Sequence, residues 1–220
     1  MMMIQIIMLV VFHFLQNKNM NILEQYNKAL SYITREGISE LDIWIKSETD
    51  FLTAPASTEY HGNHEYGLLQ HSLYVLQFAL HNFNLIVKNK PDYEYLRESV
   101  VICSLFHDLC KVNIYKKEQK WTKDDKGKWK EYNGWKVKDA FPYGHAEKSV
   151  YLISKYIKLT DPEAMAIRWH MAHSEPSVAI PNNPHYYAFN QAIDHPLVRL
   201  IMAADMLSIY LEEKRDIKNT

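Results

Sequence analysis

The stretch VVICSLFHDLCK, residues 100–111, carries an apolar run straight into the neighbouring pair His107 and Asp108. With no glycine or proline to break it, the run predicts a buried helix. A histidine and an aspartate at the end of such a helix are costly to bury unless they are paired, hydrogen-bonded or bound to a metal. The reading that removes this cost most economically is a metal ion, with its other ligands supplied from elsewhere in the chain.

Working outward, helical spacing dominates. Residues 22–35 and 38–47 alternate apolar and polar positions with helical period, and 48–66 is a polar, irregular connection. GLLQHSLYVLQFALHNFNLIV, residues 67–87, is apolar nearly all round and predicts a central helix. Residues 92–110 predict another, ending at the His-Asp pair. Helical pattern returns at HAEKSVYLISKYIK (145–158) and DPEAMAIRWHMAH (161–173), where Asp161 suits a cap and Pro162 the first turn. A loop, SEPSVAIPNNPHYY, then leads to a last helix over 195–214. Between helices, residues 113–140 change character: YKKEQKW and KWKEYNGWKVK flank TKDDKG, the signature of a β-hairpin insertion. The expected fold class is all-α, one domain over 20–220, with a small β-hairpin insertion.

Composition places few constraints on function. The chain has 220 residues, 47% hydrophobic and 23% charged, with a formal net charge of −1, so no global field marks a nucleic-acid or membrane binder. Cys103 and Cys110 share one apolar segment and suit free thiols in a reducing compartment, giving an expected cytoplasmic location. The first 19 residues form a hydrophobic extension that lacks the basic start and small-residue cleavage site of a secretory signal. Its apolar run is shorter than the roughly 18 residues of a spanning helix and contains Gln5 and His13, so stable membrane insertion is not expected. Either Met20 opens the true domain, or the extension is a helix packing on the body or on a partner.

Other residues pose the same problem as His107 and Asp108. Asp205 lies in LIMAADMLSI with Ile201, Met202 and Ile209 on its helical face, and reads as a structural ion pair or a metal ligand. His71 is surrounded by Leu68, Leu69, Val75 and Phe78. His145 opens one helical segment and His170 lies inside another. Four histidines and two aspartates on helices make the metal reading much stronger than any one of them does.

The order His71, then His107-Asp108, then Asp205 resembles the H…HD…D pattern of the HD-domain metal-dependent phosphohydrolases, an all-helical family. GLLQHSLYV is similar to the family's first-histidine segment and SLFHDLCKV to its HD-x-x-K segment. EYHGNHEYGLLQHS resembles the subgroup that includes HD domains of bacterial 3′-to-5′ exoribonucleases and of some conjugative relaxases. The resemblance spans residues 60–212; Cys110 departs from it, standing where many members have glycine. The resemblance implies a helical bundle in which His71, His107, Asp108 and Asp205 hold a first metal. His145 and His170 match the extra histidines of two-metal members, in which Asp108 bridges both ions. It also implies hydrolysis of a phosphomonoester or phosphodiester by a hydroxide generated between the ions. Asp108 and Lys111 are then the catalytic residues, and Lys111 also contacts phosphate.

A mixed imidazole and carboxylate set suits Mn, Fe, Ni, Co or Zn without choosing among them. His173 and His64 are candidate substrate contacts, with Arg168 and Lys148 reaching from their helices. Between Val112 and Asp139 lie nine lysines against five acids, with Trp121, Trp129 and Trp135 interleaved. An amphipathic hairpin that buries its tryptophans on one side is the simpler account. Binding of a nucleotide or of single-stranded nucleic acid is the alternative. The expected partner is therefore a phosphorylated small molecule or nucleotide, with single-stranded nucleic acid as a second candidate. The competing readings are a non-hydrolytic HD-type ligand-binding or regulatory module and a di-iron HD oxygenase.

Overall fold

The computed structural model describes residues 20–212; the expectations for the N-terminal extension and for the last residues of the final helix lie outside them. Eight α-helices and one two-stranded hairpin are described: α1 (Ile22–Leu30), α2 (Ile38–Glu48), α3 (Gly67–Asn89), α4 (Arg97–Phe106), β1 (Tyr115–Lys123), β2 (Trp129–Val137), α5 (His145–Ser154), α6 (Asp161–Trp169), α7 (Pro184–Ala192) and α8 (Pro196–Glu212). The chain is mostly helical, as its periodicity implies. Among the described residues, no helix is long and apolar enough to cross a membrane.

Central helix α3 buries Leu68, Leu69, Leu73, Val75, Leu76 and Phe83, which point to several sides of the helix. Accordingly α3 packs against both α4 and α8, while α6 packs against α4, α5 and α8. Each fully buried Leu or Phe removes roughly 1.5–3 kcal/mol worth of apolar surface from water. This packing sets the helices that carry His71, His107, His145, His170 and Asp205 side by side.

Several helix ends differ from the expectations. The segment 92–110 opens as a 3-10 turn, Pro91–Leu96, and its α-helix ends at Phe106. His107 is the C-cap and Asp108 leaves the helix, at φ −101° and ψ 19°, before a second 3-10 turn over Leu109–Lys111. Helix α6 is capped by Thr160 rather than Asp161: the Thr160 side chain accepts from the Glu163 N–H, and the Glu163 carboxylate accepts from the Thr160 N–H. The segment 174–187 contains the start of α7, capped by Asn183 with Pro184 in its first turn.

The hairpin pairs Tyr115 with Val137 at its base and Lys123 with Trp129 at its tip. Alternation puts Trp121, Trp129 and Trp135 on one face together with Tyr115 and Val137. The burial expected of that face is found only at its base. Trp135 packs against the core cluster, whereas Trp121 and Trp129 are each 60% exposed. The body holds the base through the Tyr115 hydroxyl, which donates to the Ala56 carbonyl at 3.1 Å, and through Lys148–Asp139 at 2.7 Å.

Glu163 ties the helices together. Fully buried, it receives Arg35 at 2.9 and 3.1 Å and the Ser99 hydroxyl at 2.7 Å besides closing the α6 cap. Burial alone would raise its pKa, but the bonds from Arg35, Thr160 and Ser99 outweigh that and hold its carboxyl below the ordinary value. Such a group stabilises the fold above its unfolded pKa of about 4.3, and the contribution is lost as pH falls through the lower folded value. Glu163→Gln should therefore lower unfolding free energy by about 1–3 kcal/mol at pH 7 in urea titrations, because Arg35 loses its buried carboxylate partner and keeps only Glu98 and the Lys158 carbonyl. The gap to wild type should narrow at pH 3.

Candidate metal centre

Five ligand-bearing segments converge, and three of them do so through helix ends. His107 and His170 are the C-caps of α4 and α6, and His145 is the first residue of α5. Gly144 makes the last placement feasible: its φ of +86° suits glycine, and a Cβ there would lie 2.7 Å from the Glu147 carboxylate. His71 lies one turn into α3, and Asp205 sits in the middle of α8.

Each histidine has its Nδ1 occupied. His107 Nδ1 lies 3.0 Å from the Ser104 carbonyl and His170 Nδ1 lies 2.7 Å from the Ile167 carbonyl. A carbonyl only accepts, so both rings carry their proton on Nδ1. The Ser208 hydroxyl gives its proton to the Asp205 carbonyl at 2.7 Å, leaving its oxygen to accept from His71 Nδ1 at 3.2 Å. His145 Nδ1 lies 3.2 Å from Cys110 Sγ. In all four rings Nε2 is left to face the centre, the arrangement in which a neutral imidazole ligates a metal.

The facing atoms form two sets that share Asp108. His71 Nε2 lies 3.1 Å from His107 Nε2, 3.4 Å from Asp108 Oδ2 and 3.2 Å from Asp205 Oδ1. His107 Nε2 lies 3.5 Å from Asp108 Oδ2 and 3.8 Å from Asp205 Oδ1. Donors held about 2.1 Å from a transition ion are about 3.0–3.4 Å apart, so these atoms are spaced to share one. On the other side, Asp108 Oδ1 lies 3.1 Å from His145 Nε2 and 3.6 Å from His170 Nε2.

Two observations show that the donor set fits a metal. First, two imidazole nitrogens whose rings carry their protons on Nδ1 face each other across 3.1 Å, a spacing at which a cation between them turns repulsion into ligation. Second, Asp108 Oδ1 and His170 Nε2 are buried with no hydrogen-bond partner, a large cost in the apolar interior unless a cation is their partner. The buried His, Asp and Cys groups can hold an ion.

The electrostatics point the same way. Burial keeps His107 below the usual histidine range against the opposing pull of Asp108, so it stays neutral. Burial would raise Asp108 and Asp205. The Lys111 charge overcomes this at Asp108 and the contact with the His71 imidazole overcomes it at Asp205, so both carboxyls lie below their ordinary values and are ionised. The Cys110 thiol is pushed up to about 12 by burial and the nearby Asp108 charge, so it meets His145 as a neutral thiol.

The centre opens to a cavity of about 630 Å³. Lys111 lines it and reaches Asp108 Oδ2 at 2.7 Å. Arg168 also lines it, held by Glu147 at 2.6 Å and by Glu175 at 3.0 and 3.3 Å. The other two substrate-contact candidates lie elsewhere. His173 is exposed and outside the lining, and His64 is exposed with Nδ1 2.8 Å from its neighbour's carbonyl. Lys148 is buried against Asp139. At the mouth stands His61, its ring 5.3 Å from that of His71. His61 and His64 flank Gly62, and the loop between Ala56 and Gly67 turns back so tightly that a Cβ on Gly67 would overlap the Gly62 carbonyl. Helical spacing does not report such a turn. Tyr115, Glu175 and His185 also line the cavity and had no motif to mark them.

Comparisons with protein-family models, with curated proteins and with solved structures each gave no match. The centre therefore stands on its geometry.

Protein purified without chelator should carry close to two transition ions per chain by plasma mass spectrometry. Asp108→Ala should lose both, with Asp108→Asn as the isosteric check, and His145→Ala should lose mainly one; full retention in these variants would refute the shared ligation. Cys110→Ala removes the partner of His145 Nδ1 and should weaken one of the two ions about 10–100-fold in chelator competition, leaving the other unchanged.

Proposed function

We propose that the chain is an HD-type metal-dependent phosphohydrolase that cleaves a phosphomonoester or phosphodiester of a nucleotide or short single-stranded nucleic acid. The observation that carries this reading is the division of Asp108, Oδ2 toward His71 and His107 and Oδ1 toward His145 and His170, beside a cavity entered by Lys111. His71, His107, Asp108 and Asp205 would hold one ion, and Asp108, His145 and His170 the other. Two such ions supply a nucleophile from water near neutral pH and neutralise charge on the phosphoryl oxygens.

The chain's own residues do the rest. Lys111 is fully charged, because Asp108 holds its pKa above the ordinary value against the effect of burial. Its ammonium stands at the junction of centre and cavity, where it attracts and orients a phosphate. Arg168 offers a planar second contact, kept in place by Glu147, Glu175 and the Trp169 ring 4.1 Å away. Two buried free cysteines accord with a reducing, cytoplasmic setting.

Phosphate release from a panel of nucleotides and short oligonucleotides, with Mn, Fe, Ni, Co and Zn supplied in turn, tests the reading. Metal-dependent release is expected. Lys111→Ala should lower kcat/KM about 10–100-fold while metal content stays unchanged, the loss of one charge-assisted contact. Bound ions without turnover would assign a ligand-binding module instead, and turnover that requires oxygen would assign an oxygenase.

A further inference from the structure

The outer hairpin has a face that the body does not use. Trp121 and Trp129 stand exposed on it, and the Lys123 ammonium lies over the Trp129 ring at 5.2 Å, as Lys117 does over Trp135 at 5.5 Å. Tyr115–Val137 carries eight lysines against four acids, an excess of four in a chain of net charge −1, so the rest of the chain is net acidic. Positive charge is thus gathered on the element that displays the indoles. The same face begins at the pair Tyr115 and Val137, both of which line the metal cavity. From that pair to Lys123 and Trp129 the strands run eight residues, ~27 Å, long enough to seat several nucleotides.

We infer that this face is a docking strip for single-stranded nucleic acid that leads a strand end toward the metal cavity; the strand's destination, though not its docking, rests on the phosphohydrolase reading. Exposed indoles offer stacking surfaces that unpaired bases can occupy and that the bases of a duplex, already stacked, cannot. Lys117 and Lys123 share this face with Glu131, while Lys116, Lys120, Lys130 and Lys136 alternate to the other side of the same narrow ribbon, and the hairpin's excess of four supplies the counter-charge a phosphate backbone needs. A free mononucleotide has no use for a strip that extends ~27 Å from the centre. The substrate class is therefore an oligonucleotide with a single-stranded end.

Fluorescence anisotropy of a labelled twelve-residue oligo-dT or oligo-U with the full chain in EDTA, so that no turnover intervenes, tests the docking. The wild type should bind both, more weakly as salt rises, and a duplex of equal length should compete poorly. Trp121→Ala/Trp129→Ala should weaken binding at least tenfold with an unchanged melting temperature, since both side chains are exposed. Metal-dependent release of phosphate from a mononucleotide should be unchanged in the same variant. Equal oligonucleotide binding by variant and wild type would overturn the inference, as would a wild-type dimer that the variant converts to monomer without loss of oligonucleotide binding, which would assign the face to a second copy of the chain. Oligonucleotide binding without any hydrolysis would retain the strip and refute the phosphohydrolase reading; hydrolysis of nucleotides without oligonucleotide binding would do the reverse.

Discussion

The centre depends on one constraint: four imidazoles have their Nδ1 atoms committed to local partners, so their Nε2 atoms must face one buried carboxylate. Two of the partners are carbonyls three residues back in the same chain, Ser104 for His107 and Ile167 for His170. Such a bond forms readily where a histidine stands at the C-terminus of a helix, because the last carbonyls there lack intrahelical donors. The helix end that would otherwise carry unsatisfied acceptors thus fixes the tautomer of the ligand. A histidine in mid-helix has no such acceptor, and His71 uses Ser208 on another helix instead.

Fold and centre are coupled through these helix ends. Helix α4 has to stop at Phe106 for Asp108 to turn out of the helical path and present one oxygen to each histidine pair. Serine side chains fix the rest: Ser149 Oγ accepts the Cys110 N–H at 2.9 Å, which pins the turn after Asp108 to α5 and carries Cys110 to His145. Ser99 and Ser208 do comparable work at Glu163 and His71. Small hydroxyl residues on apolar helices place the large polar ones.

Much of this was legible in the sequence, for identifiable reasons. Apolar runs with helical period predict buried helices, and polar residues inside those runs stand out because burying them demands a partner. That is why His71, His107, Asp108 and Asp205 could be singled out. Helix ends were read less well, since the end of an α-helix is decided by caps and by competition with 3-10 turns. The T-x-x-E box at Thr160 and the Asn-Pro start at Asn183 were present as signals. His61 was not legible, because which of two histidines around Gly62 faces inward depends on a backbone turn rather than on a period. The exposure of Trp121 and Trp129 was hidden for a related reason. Alternation assigns residues to a face, and only packing decides whether that face is covered.

The centre also bears on how the chain is stabilised. Three histidines and two aspartates buried in the bundle, His71, His107, His170, Asp108 and Asp205, replace side chains that could have packed as Leu or Ile, and an unpaired buried polar atom costs about 1–3 kcal/mol. Asp108 Oδ1 and His170 Nε2 are two such atoms. Apolar packing of α3 against α4 and α8 offsets this without removing it. Ions that bind the folded chain and not the unfolded one add stability in proportion to the logarithm of their concentration over Kd. A core with this many inward-facing donors would therefore gain fold stability and site order together on binding an ion. Bundle and centre would in that sense form one cooperative unit rather than a scaffold with a site attached.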